Sequence, residues 1–151
     1  MTTTQPIIPA LPCFCASFRR TARALTHLYE EALRPIGLRS TQFTILQVLY
    51  RFGEVSQGQL GQILAMDSTT LTRTLEIMRR HGWIAESRGF DRRQRRLRLG
   101  KAGKARLKQA LPVWENVQSH LRARLGARAW NNLLRISKEV TELVNKEGES
   151  V

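Results

Sequence analysis

The chain has 151 residues, enough for one domain or two small lobes sharing a long helix, and its 42% apolar content can supply a core. A formal charge of +13 and a pI near 11.3 point to an acidic polymer as partner, without separating DNA from RNA or an anionic membrane. No apolar run approaches the roughly 20 residues of a membrane helix, the opening MTTTQPIIPALP has neither region of a secretion signal, and two cysteines cannot staple a secreted mini-protein, so a cytoplasmic protein off the membrane is expected.

Residues 1–12, with three prolines and a threonine run, read as a flexible arm. From Cys13 to Arg34 the positions Phe14, Phe18, Ala22, Leu25, Leu28, Tyr29 and Leu33 keep helical spacing, and Pro35 and Gly37 stop that first helix. Ser40 is expected to cap a second helix from Thr41 to Arg51 or Phe52. With Phe43, Leu46 and Leu49 on one face and Ile45, Val48 and Tyr50 around the rest, it should be buried nearly all round. Gly53 breaks it. Ser56 caps a short third helix anchored by Leu60, Ile63 and Leu64; its Gly58 and Gly61 each lower helix propensity by about 1 kcal/mol relative to alanine, so packing must hold it.

A turn at Ala65-Met66-Asp67 leads into the most informative stretch of the chain. Asp67 is a good N-cap, Leu71, Leu75 and Met78 form one apolar stripe, and Gly82 sits where a left-handed residue should end the helix. Ser68, Thr69, Thr72, Arg73 and Glu76 lie off the stripe, free to read something. Two helices joined this closely make a helix-turn-helix. Trp83-Ile84-Ala85 then begins an extended segment, Gly89-Phe90-Asp91-Arg92 turns it, and Arg96-Leu97-Arg98-Leu99 returns with leucines inward and arginines outward. Between Arg88 and Arg98 six arginines face one aspartate, a density that repels itself unless a polyanion is present. Beyond this hairpin, Lys101 to Leu125 carries Leu107, Leu111, Trp114, Val117, Leu121 and Leu125 at near coiled-coil spacing, with Pro112 expected to kink or break it. Gly126 ends that helix. A last helix from about Ala127 to Asn145 aligns Trp130, Leu133, Leu134, Ser137, Val140, Leu143 and Val144, and residues 146–151 should fray.

The fold expected is mainly α with a small β-hairpin wing: a winged helix-turn-helix lobe at 38–100, flanked by apolar helices at 13–37 and 101–145 within one unit spanning 13–145. The flanking stripes exceed what the lobe can cover, and self-association is the economical answer. A two-fold dimer would set two reading helices roughly 34 Å apart over a palindromic site.

The order of elements, the segment TLTRTLEIMRRHGWI (70–84), the wing DRRQRRLRL (91–99) and KAGKARL (101–107) resemble the MarR family of bacterial transcription regulators over residues 13 to about 145. The most specific feature is the Asp-x-Arg of Asp91 and Arg93, followed by alternating apolar positions and by Gly103 opening the long helix. The resemblance implies a winged helix-turn-helix dimer, usually a repressor, that leaves its operator when a small phenolic or lipophilic ligand, or an oxidant, reaches it. It implies that Asp91 orients the wing by pairing with an arginine such as Arg73, that Arg92 or Arg93 enters the minor groove, where narrow walls favour guanidinium, and that Ser68, Thr69, Thr72 and Arg73 meet the major groove or its phosphates. Arg95 belongs to the same basic surface. The family often has Ser or Thr capping the fifth helix, where this chain has Gly100.

A narrower resemblance joins Cys15 and Tyr29 to the reactive cysteine and a tyrosine of the family's organic-hydroperoxide-sensing branch. The branch's two other tyrosine positions hold Arg19 and Ser40 here, and Arg19, one turn from Cys15, could lower the thiol pKa instead. Inert helical thiols are the plainer alternative. A metal site of Cys13, Cys15 and His27 is disfavoured because residues two apart on a helix diverge and only three ligands exist. Phe18, Tyr29, Phe43 and Trp114 either line a pocket for a flat aromatic ligand or are plain core. No phosphate loop, catalytic triad or carboxylate pair is present, so an enzyme is not expected and no cofactor is implied. The rival from another class is a non-specific architectural DNA-binding protein acting through charge alone.

Overall fold

The structure, a computed structural model, describes residues 8–88 and 95–148. The chain runs α1 (Phe14–Leu33), a 3-10 turn (Arg34–Ile36), α2 (Ser40–Phe52), β1 (Val55–Ser56), α3 (Gln57–Leu64), α4 (Ser68–Arg80), β2 (Ile84–Arg88), β3 (Arg95–Leu99), α5 (Lys101–Leu125) and α6 (Ala127–Gly148). Two compact units divide it, 1–111 and 112–151, and the boundary falls at Pro112, inside α5.

The first unit is built around α2. Phe43, Ile45, Leu46, Val48 and Leu49 are buried, meeting α1 on one side and β3 on another. Tyr50 is not part of this core: it is 72% exposed, because it lies past the stripe covered by α1 and β3. The cap also differs from expectation. Arg39, not Ser40, is the N-cap residue, and its N–H donates to Gln42 Oε1 at 2.9 Å. Ser40, already helical, donates both its N–H and its hydroxyl to Glu30 Oε1 of α1, each at 2.9 Å. A carboxylate from another helix thus does what a local side chain was expected to do. Burial alone would push the Glu30 carboxyl up, but the Ser40 hydrogen bonds and the Arg39 guanidinium outweigh it and hold it below its ordinary value.

The wing is a three-stranded antiparallel sheet in the order β1-β3-β2, one strand more than the hairpin expected. Val55 pairs with Leu97 and Ser56 with Arg96, on the opposite edge of β3 from β2. Leu97 is sealed and Leu99 and Ile84 are buried, which turns one face of the sheet into core and leaves Arg98 outward. Where β3 hands over to α5, the backbone passes so close to the entry of β2 that side chains are excluded. Gly100 N–H donates to the Trp83 carbonyl at 2.9 Å, and a Cβ at Gly100 or Gly103 would overlap the carbonyl oxygens of Gly82 and Trp83 respectively. Gly100 is therefore a close-approach residue, which is why no Ser or Thr cap stands there. From the first turns of α5, Arg106 donates to the Ile36 carbonyl at 2.6 Å and lies 5.5 Å over the Trp83 ring.

In the second unit Gly126, at φ +79°, separates the end of α5 from α6. α6 extends to Gly148, three residues beyond the Asn145 expected, so 146–148 are helical rather than frayed. Helix ends without a breaker are poorly marked in sequence, and Gly148 is the first glycine after Gly126. Leu133, Leu134, Leu143 and Val144 on α6 are each at least half exposed, while Arg135–Glu139 and Lys138–Glu142 form ion pairs four residues apart. Among the described residues no helix is long and apolar enough to cross a membrane.

Candidate nucleic-acid interface

The organising element of the interface is α4. Asp67 Oδ1 accepts the Thr70 N–H at 2.8 Å, and these hydrogen bonds hold the Asp67 carboxyl below its ordinary value. At the other end His81 is the C-cap, its ring stacked 4.6 Å from Trp83, and Gly82 takes the left-handed conformation at φ +67°. Leu71, Leu75 and Met78 are sealed against the core, so the orientation of the helix about its own axis is fixed. Ser68, Thr69, Thr72 and Arg73 consequently all stand exposed. At 13 residues α4 is about 20 Å long, and its polar face carries hydroxyls and the guanidinium groups of Arg73 and Arg80, donors and acceptors suited to base edges and phosphates.

The turn before α4 needs an unusual backbone. Ala65, C-cap of α3, has φ +49°, the only positive φ at a non-glycine among the described residues. Ser56 caps α3 as expected, with its hydroxyl accepting the Gln59 N–H at 3.1 Å and Gln59 Oε1 accepting the Ser56 N–H at 2.9 Å. Leu60 is its buried anchor, whereas Ile63 is half exposed because an eight-residue helix offers only one narrow stripe to the core. Beside that stripe, Gln57 Nε2 donates to Thr72 Oγ1 of α4 at 2.9 Å.

The wing is attached to α4 by an ion-pair relay. Glu86 on β2 lies 2.6 Å from Arg79 in the last turn of α4 and 3.7 Å from Arg95 on β3. Arg79 and Glu86 are largely withdrawn from solvent and Arg95 is largely exposed, so the relay fixes the wing root while leaving one guanidinium outward. Sequence reasoning missed Glu86 and Gln57. The signal for Glu86 was available: it is the one acid on β2, two residues from the inward Ile84 and hence on the same face. Asp91, Arg92 and Arg93 lie outside the described residues, and so does the expected pairing of Asp91 with Arg73; among the described residues Arg73 has no ion pair.

Phe43 is enclosed in the core, Phe18 packs on Phe14 with ring centroids 4.7 Å apart, and Trp114 belongs to the second unit. Tyr29 is half-buried, and that burial pushes its hydroxyl pKa up. The open groove along α1, about 900 Å3, is lined by Arg19, Arg23, His27, Glu30, Arg34 and Arg39 among others and by none of the four aromatics. Cys13 is not helical as expected: it is the extended N-cap of α1, at φ −91° and ψ 121°. Cys15 is exposed, and Arg19 Nη2 donates to its sulfur at 3.3 Å.

A sealed stripe, an exposed hydroxyl and guanidinium face and an arginine-bearing sheet clipped to the same helix define a winged helix-turn-helix protein of the nucleic-acid-binding class. A MarR family model matches residues 36–96. The transcriptional regulator MosR of M. tuberculosis, solved in complex with DNA, is similar at 36% identity, covering 89% of this chain and 97% of that one with a TM-score of 0.79. A mutant MarR of E. coli complexed with operator DNA is alike in fold, at 22% identity, 83% and 91% coverage and a TM-score of 0.76. The HTH-type transcriptional regulator YwoH of Bacillus subtilis is 30% identical over 82 residues, 54% of this chain and 60% of that relative, so the match spans less than two thirds of its length. The chain belongs to the MarR family of DNA-binding transcriptional regulators, which are not enzymes.

Proposed function

We propose that the protein is a dimeric repressor that binds a palindromic operator and is released by a small lipophilic or aromatic ligand. The observation that carries the DNA part is the exposed set Ser68, Thr69, Thr72 and Arg73 on a helix whose other side is sealed. In a two-fold dimer two such helices would enter successive major grooves about 34 Å apart, with wing arginines reaching the adjoining minor groove. The exposed apolar side chains of α1 (Phe14, Phe18, Leu25, Leu28) and of α6 support pairing through the terminal helices. A competition gel shift with the DNA upstream of its coding region against random duplex, at two salt concentrations, tests this. An operator binder keeps its preference as salt rises; equal and steeply falling affinity for both duplexes would leave the architectural reading instead.

A second reading replaces the ligand by an oxidant. It is favoured by the exposed Cys15 thiol, whose sulfur accepts a hydrogen bond from the Arg19 guanidinium. Peroxide should then release wild-type protein from its operator but not Cys15→Ser. Release of both by an aromatic acid, with no effect of peroxide, would select the ligand reading.

A further inference from the structure

The contact between α3 and α4 has a stereochemical consequence for what the protein reads. Gln57 is the first residue of α3, directly after the Ser56 cap, and Val55-Ser56 is hydrogen-bonded into the sheet beside β3. Its backbone is thereby held in place, and its side chain donates from Nε2 to the Thr72 hydroxyl on the exposed face of α4 at 2.9 Å. An amide nitrogen carries two hydrogens. With one engaged by Thr72, the other remains beside Oε1 as a donor and acceptor pair, the arrangement that recognises adenine through N7 and N6. Thr72, having accepted from Gln57, keeps its own hydroxyl hydrogen to donate. The groove between α3 and α4, lined by Gln57, Gln62, Ser68 and Leu71 among others, leaves this edge open.

We infer that Gln57 of α3 is a specificity-determining residue of the interface: held by Thr72, its amide reads one adenine in each half-site, a contact outside the reading helix itself. This rests on the operator-binding reading of the protein. Serine and threonine discriminate bases weakly, because one hydroxyl can turn to either a donor or an acceptor, whereas a fixed amide cannot. Gln57 therefore supplies directional information that Ser68, Thr69 and Thr72 lack.

Sites selected from a random duplex pool by the full-length wild type, Gln57→Ala, Thr72→Val and the double variant test the inference. The wild type should select an adenine at one fixed position of each half-site. Gln57→Ala should lose that preference alone, binding the wild-type site roughly ten-fold more weakly while its affinity for random duplex stays within about two-fold. Thr72→Val, which keeps the shape and removes the acceptor, should relax the same position, and the double variant should go no further there than Gln57→Ala. An unchanged base preference in Gln57→Ala, or a uniform relaxation at every position, overturns the inference while leaving operator binding intact. A wild type that selects no site defeats the operator reading first and this one with it, and is recognised before any variant is made.

Discussion

α4 and α6 carry the same kind of apolar periodicity and meet opposite fates. In α4 the stripe of Leu71, Leu75 and Met78 is wholly sealed, because α3 and the sheet close over it within one chain. In α6, Leu134 and Leu143 are each 58% exposed, although their spacing reads just as strongly as a buried face. A fully buried leucine contributes about 2 kcal/mol relative to an exposed one, so α4 has realised its burial and α6 has not. An amphipathic pattern states that a face will be covered; whether by the same chain or by a second copy is a separate matter. α1 stands between the two cases, with Leu33 sealed at its C-terminal end and Phe14 exposed at its N-terminal end.

The largest expected effect tests this contrast directly. Leu75→Ala should lower the unfolding free energy by about 3 kcal/mol at any protein concentration, as read by urea titration. Leu134→Ala with Leu143→Ala should instead lower the melting temperature only at concentrations where the wild type is dimeric, and should shift sedimentation toward monomer. If the α6 pair costs as much at nanomolar as at micromolar concentration, the contrast is wrong. Within α4 the two faces should separate as cleanly. Arg73→Ala should weaken operator binding by about 2 kcal/mol, measured by fluorescence anisotropy, with no change in thermal stability.

Two smaller effects sharpen the account of how the lobe holds α4 in place. The Glu30 carboxyl titrates below its unfolded value of about 4.3, so its contribution is complete above that pH and is lost as pH falls through the lower folded value. Glu30→Gln should therefore cost about 1 kcal/mol at pH 7, and the gap to wild type should close in urea titrations carried into the acid range. A gap independent of pH would show that the charge is not what caps α2. Ala65→Gly relieves the left-handed strain at the turn before α4 and should raise stability by roughly 0.5–1 kcal/mol, visible as a higher urea midpoint with operator affinity retained.

The elements read correctly from the sequence are those whose signals lie within a few residues of one another. Asp67 caps α4 through Thr70, Ser56 caps α3 through Gln59, and Gly82 and Gly126 end their helices, all by contacts spanning three or four positions. The misreadings share the opposite property. Ser40 looks like a cap, but Glu30, ten residues away, does that work. Val55-Ser56 is too short to announce a strand, and becomes one only because Leu97 and Arg96 offer an edge. Tyr50 and Ile63 are apolar yet exposed, since they lie off the stripes that α2 and α3 bury. The site divides in the same way: Ser68, Thr69, Thr72 and Arg73 were legible as the side of α4 away from its stripe and Glu86 as the inward acid of β2, whereas the pairings of Glu86 with Arg79 and of Gln57 with Thr72, seven and fifteen residues apart, were not.

What the sequence determined by itself was the succession of helices, the turn, the wing and the polar face of α4, because helical period, caps and breakers are local energies set by adjacent residues. Only the tertiary structure decided which groups meet across that succession: Glu30 with Ser40, Arg79 with Glu86, Gln57 with Thr72, and glycine in place of any side chain where α5 passes Trp83. Those pairings cost chain entropy that local propensity does not encode, and they form only when the buried stripes have already brought the elements together.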